Sequence, residues 1–103
     1  MKYYRLHGSL TAKPQQGSQL AKILLQAAEL LKNQSSCRLY LISRDESNPD
    51  QIWVTEAWEN EQAHDDSLKD PAIRALIGQA MPLLDGMPTG GQKLTILGGI
   101  GID

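Results

Sequence analysis

From Lys2 to Thr11 the chain alternates, with Tyr4, Leu6, Gly8 and Leu10 on one parity and Tyr3, Arg5, His7 and Ser9 on the other. A period of two predicts a strand. The Lys13-Pro14-Gln15-Gln16-Gly17 run breaks it, because proline removes a ladder donor and glycine frees a turn. Leu20, Ile23, Leu24, Ala27, Leu30 and Leu31 then recur at steps of three and four, which predicts an amphipathic helix through Lys32 with Ser18 as its N-cap. Alternation returns from Cys37 to Arg44 and again from Gln51 to Trp58, around a turn at residues 45–50, and predicts a hairpin. Asn60 is placed to cap a short helix through Leu68. Asp70-Pro71, with acid at N-cap and proline at N1, starts another helix on which Ile73, Leu76, Ile77, Ala80 and Met81 share a face. A loop at 87–91 precedes a last strand predicted over residues 92–100.

The predicted order is β-α-β-β-α-β, an α+β, ferredoxin-like arrangement in one domain spanning residues 1–103. Both helices of this topology cover one face of an antiparallel sheet. The richer parity (Tyr4, Leu6, Leu10, Leu39, Leu41, Ile52, Val54, Leu94 and Ile96) is assigned to the helix side. The other parity still holds Tyr3, Tyr40, Ile42, Trp53, Ala57 and Leu97, with His7 among them, so a second copy is expected to cover it. Sheet-to-sheet pairing makes a homodimer, a dimeric α/β-barrel; the alternative is a monomer with scattered exposed apolar residues.

Composition narrows the partners. A formal charge of −2 and no run of Lys or Arg argue against nucleic acid and anionic membrane. No apolar stretch approaches the roughly 20 residues that span a bilayer, and no h-region follows the first residues, so a signal peptide is not expected. The single cysteine, Cys37, excludes an internal disulfide and fits a cytoplasmic location. Two histidines far apart offer no metal-ligand spacing, so no metal is expected. The glycines at 98, 99 and 101 precede no helix and are not a dinucleotide fingerprint.

The segment Val54-Thr55-Glu56-Ala57-Trp58-Glu59-Asn60-Glu61-Gln62-Ala63 resembles the E-x-W-x-(D/N/S)-x-x-A signature of the antibiotic-biosynthesis-monooxygenase family. The turn Lys13 to Gly17, the small residue and C-x-x-Y motif from Ser36 to Tyr40, the hairpin proline Pro49 and the Asp70 to Ile73 step fall where that family has similar features. The resemblance covers nearly the whole chain. It implies a dimeric α/β-barrel with a pocket between sheet and helices in each subunit, and a cofactor-independent monooxygenase acting with molecular oxygen on a small aromatic substrate of quinol or polyphenol type. The chain also departs from the pattern. Where many members carry a histidine four residues after the signature alanine, it has Ser67, with His64 directly after Ala63. At the positions matching the Asn, Trp and His of the haem-degrading branch it has Gly8, Ser67 and Ile77, which disfavours haem degradation.

Candidate chemistry rests on two residues. His64, as a histidine, can exchange protons near neutrality and is the best candidate base; the alternative is a partly exposed helix histidine beside the solvated Asp65 and Asp66. Glu56 stands among apolar neighbours, so it must find a partner or titrate high, as acid, base or ligand acceptor. A structural pairing with Arg38 or Arg5 is the alternative. Tyr4, Gly8, Trp58 and Ser67 complete the expected substrate pocket, Gly8 because a missing side chain leaves room for a ligand or close neighbour. Two other classes remain open: a non-catalytic barrel binding a small apolar molecule in a stress or regulatory role, and an isomerase or decarboxylase on the same scaffold.

Overall fold

The computed structural model describes residues 2–88 and 90–102; Thr89, in the expected 87–91 loop, lies outside the described residues. Elements follow the order β1 (Tyr3–Thr11), α1 (Gly17–Leu31), β2 (Cys37–Asp45), β3 (Asn48–Trp58), α2 (Glu61–Ser67), α3 (Pro71–Ala80), a 3-10 turn (Met81–Leu83) and β4 (Gln92–Ile96). The strands form one antiparallel sheet in the order β2-β3-β1-β4. This is the expected α+β, ferredoxin-like fold.

Local chemistry sets most boundaries. The Asn60 side chain accepts from the Ala63 N–H and that of Asp70 from Ala72, so both expected caps form, with Pro71 in the first turn of α3. The expected cap of α1 does not. The helix starts two residues earlier, at Gly17, and Gln16 in the cap position makes no side-chain hydrogen bond. Instead the Asp50 carboxylate, at the start of β3, accepts from the N–H groups of Gln15 (3.1 Å) and Gly17 (3.0 Å). Gly17 has to be glycine, because a Cβ there would run into the carbonyl oxygen of Pro49. Ser18 instead accepts from Arg44.

The hairpin is tighter than the composition of residues 45–50 suggests. Asp45 pairs with Asn48, and the Asp45 carboxylate accepts from both the N–H and the hydroxyl of Ser47, an Asx-type turn that lets β3 begin early. At the other end β4 stops at Ile96 rather than continuing to residue 100. Gly99 and Gly101 have positive φ there, a conformation no strand can use.

The expected division of the sheet faces holds for β1 and β3 and fails for β2 and β4. In register, Tyr4, Leu6, Gly8 and Leu10 stand opposite Trp58, Glu56, Val54 and Ile52, and these pairs face the helices. In β2 the pairing steps from Cys37–Trp58 to Leu39–Ala57, so Arg38 is an extra residue, a bulge that inverts the parity beyond it. Tyr40 and Ile42 therefore pack against the core under the helices, and Leu39 and Leu41 face outward. In β4, Leu94 and Ile96 pair with Arg5 and Tyr3 on the outer face. That edge strand turns Lys93 to the other side, where its ammonium meets Glu61 of α2 at 2.9 Å.

Core packing sits between the sheet and the helices. Leu20, Ile52 and Trp58 are wholly buried, joined by Ile23, Ala27 and Leu31 of α1 and Ile73, Leu76 and Ala80 of α3. The outer face carries Tyr3, Leu39, Leu41, Trp53, Ala57, Leu94 and Ile96. His7 lies there as expected, its ring stacked on Trp53 at 5.0 Å and its Nδ1 2.9 Å from the Thr55 hydroxyl. The Arg38 guanidinium covers the Tyr3 ring at 5.5 Å. Leu97 lies past the end of β4 and is exposed.

Candidate active site

Between the sheet and the helices lies an apolar cavity in two adjoining lobes of about 180 Å³ and about 190 Å³. The first is walled by α1 (Ile23, Leu24, Ala27), α3 (Ile73, Leu76, Ile77) and α2. The second runs along β1 and β3, past Leu6, Gly8 and Val54, to Gly90 and Gly91. Leu10, Leu24, Tyr40, Glu56 and Pro88 border both. An apolar cavity of about 150 Å³ already admits benzene, so each lobe has room for an aromatic ring.

Glu56 stands where the lobes meet. It pairs in register with Leu6 on one side and Tyr40 on the other, and its side chain is only 12% exposed. Its partner is not an arginine. Arg5 lies in register with Ala57 on the outer face and Arg38 sits over Tyr3, both away from it. The carboxylate instead accepts from the indole N–H of Trp58, two residues on and on the same face, at 3.0 Å. Burial pushes the Glu56 carboxyl up; the Trp58 hydrogen bond and the nearby His64 oppose that rise.

His64 keeps some exposure beside the solvated Asp65, yet its ring turns toward the cavity. Its side chain is 13% exposed and lines the first lobe. The ring bridges two carboxylates, with Nδ1 3.0 Å from Asp65 Oδ1 and Nε2 3.8 Å from Glu56 Oε1. The second distance is too long for a hydrogen bond. It leaves a gap that a ligand hydroxyl can bridge. The imidazole also meets the edge of the Trp58 ring (5.9 Å between centroids) and lies 5.7 Å from that of Tyr4. A carboxylate on Nδ1 favours the tautomer that leaves Nε2 free to accept a proton.

The remaining expected pocket residues separate. Ser67 is buried and lines the first lobe, but its hydroxyl donates to the His64 carbonyl at 2.6 Å, so its proton is already engaged. Gly8 lines the second lobe, and the close neighbour it admits is the chain itself: a Cβ would stand 2.9 Å from Gly91 Cα. Trp58 lies behind Glu56, wholly buried, as its hydrogen-bond donor rather than as a cavity wall. Tyr4 flanks His64 and borders neither lobe; burial, then the nearby Glu61, raises its hydroxyl above the usual phenol value. Tyr40 could be read as a wall for an aromatic ligand, but its parity put it at the interface face, because the Arg38 bulge that turns it inward is not visible in the pattern; Asp65 was missed, because adjacency to His64 alone does not show that the two side chains meet. Among the described residues, no group of three or more His, Cys, Asp or Glu could hold a metal ion, and no helix is long and apolar enough to cross a membrane.

The fold and the cavity define a small α+β protein with a largely apolar chamber and a histidine–carboxylate pair in its wall. Residues 3–79 match the model of the family described as antibiotic biosynthesis monooxygenase, and the chain belongs to that family. A protein of Chloroflexus aurantiacus J-10-fl assigned to the antibiotic biosynthesis monooxygenases is 31% identical, with a TM-score of 0.86 over 98% of this chain and 99% of that one. A Deinococcus radiodurans protein with the same assignment is 26% identical (TM-score 0.72, covering 100% and 97%). A Nitrosomonas europaea protein of unknown function is also 26% identical (TM-score 0.79, covering 96% and 93%). Comparison with curated proteins finds no match.

Proposed function

We propose that this protein is a cofactor-independent monooxygenase acting on a small aromatic molecule of quinol or polyphenol type, and that it works in the cytoplasm as a homodimer. The observation that carries the reading is the His64 Nε2–Glu56 Oε1 gap of 3.8 Å at the wall of an otherwise apolar cavity. A base there removes a phenolic or benzylic proton. The resulting electron-rich anion gives one electron to molecular oxygen, and the pair recombines to a peroxide that loses water. In net terms a ring CH₂ and O₂ become C=O and H₂O, with every electron supplied by the substrate. The protein contributes the base, its orientation and a site with little water. Asp65 orients the His64 ring, Trp58 holds Glu56, and Ile23, Leu24, Ile73 and Leu76 flank the ligand.

The dimer reading is supported by the outer sheet face, where Leu41 is 50% and Leu94 41% exposed beside Leu39, Trp53 and Ile96. A second reading, a non-catalytic barrel that binds a small apolar ligand, is favoured by how few polar groups the cavity shows. Oxygen consumption across a panel of quinols and anthrones separates the two. Wild-type turnover is expected, with His64→Ala lowering it by about 10²–10⁴-fold and Glu56→Gln lowering it as well. Turnover that survives both substitutions removes the base assignment, and ligand binding without turnover establishes the binding reading.

A further inference from the structure

The site above uses His64 and Glu56; it gives no task to Tyr40. Yet Tyr40 and Glu56 are the polar side chains that border both lobes, and they are direct neighbours across β2 and β3. Among the described residues the Tyr40 hydroxyl makes no hydrogen bond, while no side-chain nitrogen or oxygen that is fully buried lacks a partner. Its oxygen therefore touches open space, although the ring packs against the core.

We propose that the Tyr40 hydroxyl is the ligand's oxygen anchor: a hydrogen-bond donor at the junction of the lobes that takes a carbonyl or phenolic oxygen and so fixes which ring position faces Glu56 and His64. The chemistry suits a donor. Burial and the neighbouring Glu56 charge raise the Tyr40 phenol well above its ordinary value, so the proton stays on at any physiological pH. Glu56, once ionised, is acceptor-only, so the two neighbours offer complementary halves of a recognition pair. A ligand with a donor hydroxyl for the carboxylate and an acceptor oxygen for Tyr40 satisfies both. A hydrocarbon satisfies neither. Polar pairing of this kind discriminates more sharply than apolar fit, because a mismatched ligand leaves the site's own groups unpaired.

This assignment rests on the cavity being the ligand site, as the proposed function does, but not on oxidation. The test therefore uses a matched pair of probes and measures binding, not turnover: 1-tetralone, which carries one carbonyl, and tetralin, which carries none. Titrations followed by ligand-detected NMR on wild type and Tyr40→Phe should show 1-tetralone weakened by roughly 2- to 13-fold, the range of one neutral hydrogen bond, with tetralin unchanged. The hydrocarbon also reports whether the variant keeps its cavity. Equal affinities for 1-tetralone in the two proteins, or equal weakening of both probes, overturn the anchor and leave the oxygenase reading standing. Failure of wild type to bind either probe overturns the cavity as a ligand site, and both proposals with it.

Discussion

Replacing Gly8 by alanine tests the contact that closes the second lobe. The new methyl would stand 2.9 Å from Gly91 Cα, 3.4 Å from the Gly90 carbonyl oxygen and 3.4 Å from the Gly91 nitrogen, all of them backbone atoms that cannot swing away. Two carbons sit comfortably at about 3.5–4.0 Å, so the 90–91 segment must retreat by roughly 0.6 Å or more. Gly91 itself is pressed against the His7 carbonyl, where a Cβ would lie at 3.0 Å, so the segment has little slack. Overpacking of this kind costs about 1–3 kcal/mol. The lower backbone entropy of alanine returns about 0.5–1 kcal/mol. A net loss of about 1 kcal/mol lowers Tm by about 4–8 °C in a domain of this size. Gly78, in α3, is the control, since a Cβ there meets nothing within 4 Å. Gly78→Ala should stabilise by up to about 1 kcal/mol, because alanine is the better helix former. Paired thermal melts decide the matter. If Gly8→Ala melts at or above wild type, or shifts as Gly78→Ala does, the 90–91 segment does not depend on a bare strand and the account of Gly8 is wrong.

Glu56→Gln carries a pH signature as well as a catalytic one. Burial raises the Glu56 carboxyl in the folded state above its ordinary value of 4.5, so the stability of its neutral form is fully present below that value and is lost as pH rises through the folded-state value. The Gln variant has no such loss and still offers Trp58 an acceptor. Melts between about pH 4 and pH 8 should show its stability relative to wild type improving with pH, and a flat or opposite trend contradicts the burial argument. On the outer face, Leu41→Lys and Leu94→Lys place charges at positions already half exposed in the single chain, so each chain should fold unchanged. Light scattering is expected to give a dimer for wild type and a monomer for the double variant. A wild-type monomer at micromolar concentration ends the barrel proposal.

What could be read from the sequence was what short range determines. The stripe of α1 and the caps at Asn60 and Asp70 depend on residues a turn or less apart, and each formed. The faces of β1 and β3 were legible because an unbroken alternation specifies them. The faces of β2 and β4 were not. A bulge leaves no mark on a pattern in which both parities are apolar, and the orientation of an edge strand is chosen by its pairing partner. The same division runs through the site. That Glu56 would need a partner followed from its apolar neighbours, and Trp58 was already on its face. That His64 would turn inward followed from nothing local, since the docking of a seven-residue helix against β3 decides it.

The extra residue in β2 gives the chamber an unusual kind of control. Substitutions at a lining position change one wall at a time, whereas the bulge at Arg38 selects which half of β2 faces the chamber. Were Arg38 taken into the ladder as a paired residue, the register beyond it would slip by one, presenting Leu39, Leu41 and Ser43 to the interior and sending Tyr40, Ile42 and Arg44 outside. A phenol-bearing wall would become a plain aliphatic one without any lining residue being replaced. Among proteins built on this sheet, the register of β2 at that point thus decides which residues line the chamber, and it is worth comparing before side-chain identity.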